Sequence, residues 1–171
     1  YLLYRHPLDG DKIHDVADEL HDQALRMGEK ALFVEHPADT SNRIKVKNRK
    51  QAELPWCDTG AIPYSITGPY LAPLFDKAFI EGLHDPARRP TADDWDTALV
   101  KTIDLIQPCQ NTACEQKWYV FDNSTKPKCP FCATSHKGRL PILNLYSSRR
   151  VGSFMPDNHR LMVYSNQSLF M

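Results

Sequence analysis

Apolar residues recur at helical spacing along the first part of the chain. From Ile13, the positions Val16, Ala17, Leu20, Ala24 and Met27 share one face, with Asp9-Gly10 before the run and Gly28 after it. This pattern predicts an amphipathic helix. Leu71, Leu74, Phe75, Ala78 and Phe79 repeat as i, i+3, i+4, i+7, i+8. They predict a second helix, with Pro73 in its first turn and Gly82 as its terminator. Thr91 can cap a third helix, and Asp93 and Asp94 suit the positive end of its dipole. Trp95, Ala98, Leu99, Ile103 and Ile106 would line the inner face of that helix, and Pro108 would end it. Residues 35–68 break the pattern with Pro37, Pro55 and Pro63 and read as a long excursion. They carry a basic cluster of Arg43, Lys45, Lys47, Arg49 and Lys50, which is a candidate partner contact as well as an ordinary solvated loop.

Beyond residue 108 the pattern shortens. β-Branched and aromatic residues gather in Trp118–Phe121, 140–146 and 161–164, separated by turn-rich stretches, and these runs predict strands. The chain therefore reads as α+β in three parts: a helical portion over 1–106, a small unit over 107–140 and a β-rich tail over 141–171. The tail would leave an unpaired edge unless something covers it. Tyr1 opens inside the apolar run Tyr1-Leu2-Leu3-Tyr4, as if a buried helix had lost its beginning, so a fragment of a longer protein is expected.

Composition narrows the class. At 171 residues, 42% hydrophobic and 25% charged, the chain suits one ordinary domain or two small ones and is not wholly disordered. Mean hydropathy is −0.50, and no apolar run approaches the roughly 18 residues of a membrane span. Lys+Arg and Asp+Glu both number 21, so net charge gives no general attraction to nucleic acid or membrane.

Five cysteines carry the most specific signal. Cys57 stands alone beside Trp56 and reads as a small, inert thiol, whereas Cys109, Cys114, Cys129 and Cys132 form two close pairs. An odd count with two tight pairs is unlike a secreted disulfide framework and fits a reduced, cytoplasmic chain with a metal site. Zn²⁺ takes four thiolates tetrahedrally, and two tight turns can each present a pair. The spacing Cys-x4-Cys, fourteen residues, Cys-Pro-Phe-Cys predicts a structural zinc ribbon over 107–140. A rubredoxin-like iron site, disulfides or inert thiols are the alternatives. Lys117, Lys126, Lys128, Lys137 and Arg139 are close enough in sequence to offset the charge of a tetrathiolate site. His136 is expected to stay free, and four protein ligands would leave no open position for chemistry. Trp118, Tyr119 and Phe121 either dock a partner or cover the metal core.

The segment Leu83-His-Asp-Pro-Ala-Arg-Arg-Pro-Thr-Ala-Asp-Asp-Trp95 resembles the last motif block of eukaryotic-like Ser/Thr protein kinases, a D-P-x-x-R-P-T loop leading into the final helix of the C-terminal lobe. Asp85, Pro86, Arg89, Pro90, Thr91 and Trp95 carry the match, and the segment from Tyr1 to Gly10 is similar to the stretch leaving the central lobe helix. The resemblance covers roughly residues 1–106. It implies a helical C-lobe remnant in which the position of Arg89 pairs with the glutamate of an A-P-E motif. This chain has no A-P-E, so Arg89 would face a partner chain, a local carboxylate or solvent, and Trp95 would anchor the last helix.

No Gly-rich phosphate loop, H-R-D or D-F-G occurs in the sequence. The expectation is therefore a non-catalytic interaction module. The alternatives are one part of an active kinase whose catalytic residues lie elsewhere, or a nucleic-acid-binding ribbon; scattered lysines and zero net charge argue against the latter. The combination also resembles bacterial kinases of tellurium-resistance-type stress operons. That resemblance implies a von Willebrand factor A-type (VWA-domain) protein and a metal-dependent protein phosphatase as partners.

Overall fold

The computed structural model describes residues 6–44, 64–122 and 124–168. Lys45, Lys47, Arg49, Lys50, Trp56 and Cys57 therefore lie outside the described residues. The class is α+β: the described residues form three α-helices and two small two-stranded antiparallel sheets. These helices do not in themselves show a kinase lobe. Two compact units can be described, one comprising 6–44, 64 and 72–91, the other 65–71 and 92–168. No helix is long and apolar enough to cross a membrane among the described residues.

In the first unit, α1 spans Glu19–Met27, six residues later than the apolar periodicity suggested. The Asp18 carboxylate caps it by accepting from the Leu20 N–H. The predicted apolar face is largely exposed, with Ile13 at 83% and Leu20 at 74%. The buried position is instead Asp22. Its carboxylate accepts from the His14 backbone N–H at 2.7 Å and meets the His14 ring at 3.2 Å and Arg26 Nε at 2.9 Å. Polar satisfaction of the preceding loop thus sets this helix's orientation.

The core of the unit is aromatic. Phe33 stacks on Phe79 at 5.4 Å and meets the edge of Tyr64 at 5.8 Å, and Phe75 stacks on Phe79 at 6.1 Å. Buried Asn42 ties the loops, its amide donating to Leu8 O and Leu32 O. Gly10 packs against the Asn42 carbonyl so closely that a β-carbon there would collide with it.

Helix α2 spans Gly68–Asp76 with Pro73 inside it, past the first turn where the sequence placed it. The chain continues as a π-turn over Lys77–Glu81, closed by the Gly82 N–H bonding to Lys77 O at 2.8 Å. Gly82 therefore does terminate the segment. Pro86–Arg88 forms a 3₁₀ turn capped by the Asp85 carboxylate.

In the second unit, α3 spans Ala92–Ile103 with Asp93 and Asp94 in its first turn. It ends five residues before Pro108. Its buried positions are Ala98 and Thr102, whereas Leu99 is partly exposed and Ile103 is 63% exposed. Small residues one turn apart permit close packing, and this shifts the inner face away from the larger side chains; Trp95 is half-buried.

Strand β1 (Ile106–Pro108) pairs with β2 (Trp118–Val120), with Gln107 opposite Tyr119. Strands β3 (Ile142–Arg150) and β4 (Ser153–Met162) form an antiparallel hairpin turning at Val151-Gly152, with Gly152 at φ +79°. The tail thus folds on itself into two long strands. Leu105, Phe121 and Met162 make one buried cluster, packed by Tyr70, Val120, Leu140 and Ile142. The Phe121 N–H bonds Leu105 O, the Met162 N–H bonds Asp104 O, and the Asp104 carboxylate pairs with His159. The base of the hairpin is thereby fixed to the turn after α3.

Candidate metal centre

Two backbone turns present the four cysteines. In the first, Cys109 directly follows β1 and Cys114 precedes β2. The Cys109 N–H donates to Lys117 O at 2.6 Å, the Lys117 N–H to Cys114 O at 3.3 Å, and the Cys114 N–H to Asn111 O at 3.0 Å. Lys117 closes the turn at φ 56°. In the second, the Cys129 N–H donates to Thr134 O and the Ala133 N–H to Cys129 O, both at 2.9 Å, and Ala133 sits at φ 56°. Lys117, three residues past Cys114, and Ala133, next after Cys132, are thus left-handed, non-glycine residues in turns braced by backbone bonds. Pro130 stiffens the second turn.

The four Sγ atoms lie within 4.8 Å of one another. Cys109 Sγ is 3.6 Å from Cys132 Sγ, and Cys114 Sγ is 3.9 Å from Cys129 Sγ. A disulfide needs about 2.0 Å, so these are free thiols. A tetrahedral ion with metal–sulfur bonds of about 2.3 Å separates its sulfurs by about 3.8 Å, close to these two separations. Cys114 and Cys129 are buried; Cys109 and Cys132 are half-buried. Tyr119 packs on the same cluster with Phe131 beside it.

The surroundings treat the sulfurs unequally. Burial pushes the Cys109 thiol up to about 12, against the opposing donation of the Asn111 N–H 3.4 Å away. Burial also raises Cys129, although the Cys132 and Phe131 N–H groups donate to its sulfur. Cys132 is held down to about 6 by the Thr134 hydroxyl, 3.2 Å away, and by the Thr134 N–H. Burial pushes the Tyr119 phenol up to about 12, reinforced by the nearby Cys129 and Cys109 sulfurs. Hydrogen bonding thus favours the thiolate form at Cys132, while burial disfavours it at Cys109 and Cys129.

Other candidate positions fall differently. Tyr119 and Phe121 are buried, one on the sulfur cluster and one in the apolar core, so they serve packing and offer no docking surface. Trp118 is 45% exposed and meets Tyr164 edge-on at 5.2 Å. Arg43 is exposed. Of the placements expected for Arg89, solvent is the one found: the residue is exposed, while its Nε donates to Gly82 O at 2.7 Å and its Nη2 to Leu83 O at 3.1 Å. The guanidinium satisfies carbonyls that the end of the π-turn leaves open. His136 stands outside the tetrad, its Nε2 3.4 Å from Gln110 Nε2.

Sequence reasoning missed Thr134 and Asn111, which act on the sulfurs. It also missed the left-handed Lys117 and Ala133, since neither is the glycine that advertises such a backbone.

By its geometry, then, the cluster is a four-thiol site that could hold a metal ion such as zinc. No family model, no curated protein and no solved structure matches the chain.

Proposed function

We propose that Cys109, Cys114, Cys129 and Cys132 hold a structural Zn²⁺, that residues 107–140 form a zinc ribbon, and that the chain is a non-catalytic, zinc-stabilised protein-interaction module. The observation that carries this reading is the convergence of four free thiols from two backbone-braced turns to within 4.8 Å of one another, two of the separations being 3.6 and 3.9 Å. All four positions of the ion are filled by protein sulfur, so it organises chain rather than activating water. The unit around it has little apolar core, and metal binding supplies folding free energy that such a unit lacks. Trp118 and the exposed Tyr146, Phe154 and Met155 of the β3–β4 hairpin are the surfaces it offers to a partner protein.

The signalling context rests on the resemblance of Asp85–Trp95 to the last kinase motif block. The capped 3₁₀ turn at Pro86–Arg88 and the anchoring of Arg89 support that segment as a built connector between helices. In this reading the chain belongs to the C-terminal region of a bacterial Ser/Thr kinase and docks a VWA-domain protein and a metal-dependent phosphatase. Elemental analysis combined with native mass spectrometry of the full chain, alone and co-expressed with such proteins, tests both layers. One zinc per chain supports the site, and its absence removes it. A stable complex supports the signalling context, and zinc-loaded chain that never associates with either protein removes that context.

A further inference from the structure

Beside the sulfur cluster, the second unit carries a cavity of about 380 Å³ whose lining includes Ser124, Lys126, Lys128, Ser135 and His136 and no carboxylate. Its polar groups are mostly donors. Ser124 Oγ is buried and has no hydrogen-bond partner, and His136 Nδ1 is also buried and unpartnered. The tautomer of His136 follows from its neighbour. Gln110 Oε1 accepts from the Lys137 N–H at 2.6 Å, which fixes the amide so that Gln110 Nε2 donates; Nε2 of His136, 3.4 Å away, is then the acceptor. In the neutral ring the proton therefore sits on Nδ1. The cavity's lining thus includes a buried hydroxyl and a buried ring N–H without acceptors, together with two exposed lysines. A neighbouring cavity of about 610 Å³, also lined by His136, adds Lys137 and Arg139 and again no carboxylate.

Unpaired donors in a positively lined, carboxylate-free pocket select an oxyanion, because each donor recovers the hydrogen bond it lacks and the charges attract over distance. We propose that the Ser124–Lys126–Lys128–Ser135–His136 cavity binds a phosphoryl group. A cavity of this volume accommodates the phosphoryl group with part of whatever carries it, such as a phosphorylated side chain. The lysines also offset negative charge on the nearby thiolates, so the site works with metal-loaded protein, where that charge is shared with the ion. The proposal requires neither zinc specifically nor the signalling context.

The test titrates the metal-loaded full chain with phosphoserine, inorganic phosphate and serine, following the His136 ring and the Ser124 and Ser135 amides by NMR. Saturable shifts with phosphoserine and none with serine are expected. Tighter binding of phosphoserine than of phosphate assigns the phosphoryl group to a phosphorylated side chain; equal binding assigns it to free phosphate, and either result supports the site. The K126Q/K128Q chain, compared at matched metal content, should bind phosphoserine about tenfold more weakly. Ser124→Ala, a single small change, should weaken binding independently should the double variant prove unstable. Absence of saturable shifts with either phosphoryl probe, equal shifts with serine, or binding indifferent to both variants overturns the proposal.

Discussion

Cys109 and Cys132 place their sulfurs 3.6 Å apart across 23 positions of sequence. Among the described residues the cluster's apolar neighbours are Tyr119 and the partly buried Phe131, so a shared ion would add a direct tie between the two segments. Replacing Cys129 with Ser is expected to release the metal and unfold the ribbon, while the aromatic core around Phe33 persists. Hydrogen exchange checks this: protection at Gln107, Tyr119 and Cys129 should fall to background while amides around Phe33 and Val34 keep theirs. Unchanged protection at Gln107 and Tyr119 would show that the turns stand without the ion.

Metal binding should release protons. Burial holds the Cys109 thiol up at about 12 and raises Cys129, so in the metal-free chain these sulfurs are protonated near neutrality. An ion must displace those protons, and apparent affinity therefore rises with pH. Calorimetric titrations in buffers of different ionisation enthalpy should show proton release at pH 7. A heat independent of the buffer would contradict the protonated resting state.

Asp22 makes the first unit sensitive to acid. The His14 N–H, followed by the His14 ring and Arg26, holds its carboxyl below the usual carboxylate range. A depressed folded value stabilises the native state above the ordinary Asp pKa of about 3.9, and that contribution disappears as pH falls through the folded value. Asp22→Asn should lower stability at pH 7 and flatten the acid limb of the unfolding profile. An acid limb as steep as wild type would place the sensitivity elsewhere.

Phe33 touches Tyr64 and Phe79 at the centre of the same unit and is almost wholly buried. Phe33→Ala should cost about 3–5 kcal/mol, measured by denaturant unfolding of the Phe33 unit. A loss below about 1 kcal/mol would mean that the aromatic cluster is not its core.

The metal ligands were legible because chemistry fixes their type and spacing: two thiol pairs in turn-forming sequence have few other uses. The α+β class was legible from the change of period near residue 108. Helix faces were less so. In α1 the apolar stripe through Leu20 lost to a polar anchor, because Asp22 satisfies the His14 N–H and the Arg26 side chain, neither of which periodicity registers. In α3, Ala98 and Thr102 occupy the packed side, and Leu105, just past the helix, fills the core. The hairpin was seen only at its ends, since residues 147–160 are mostly polar, broken only by Val151 and the Phe154-Met155-Pro156 run, and carry no alternation strong enough to mark a strand. Arg89 illustrates a further limit: a motif indicates which residue matters, but the carbonyls of Gly82 and Leu83 exist as a partner only once the π-turn has formed.

The most direct measurement is metal content against thiol reactivity on the purified full chain. The account predicts one zinc per chain and four cysteines that resist alkylation until a chelator is added, with the ribbon's hydrogen-exchange protection lost at the same moment. A well-ordered chain that is metal-free, with those four thiols open to alkylation, would contradict it.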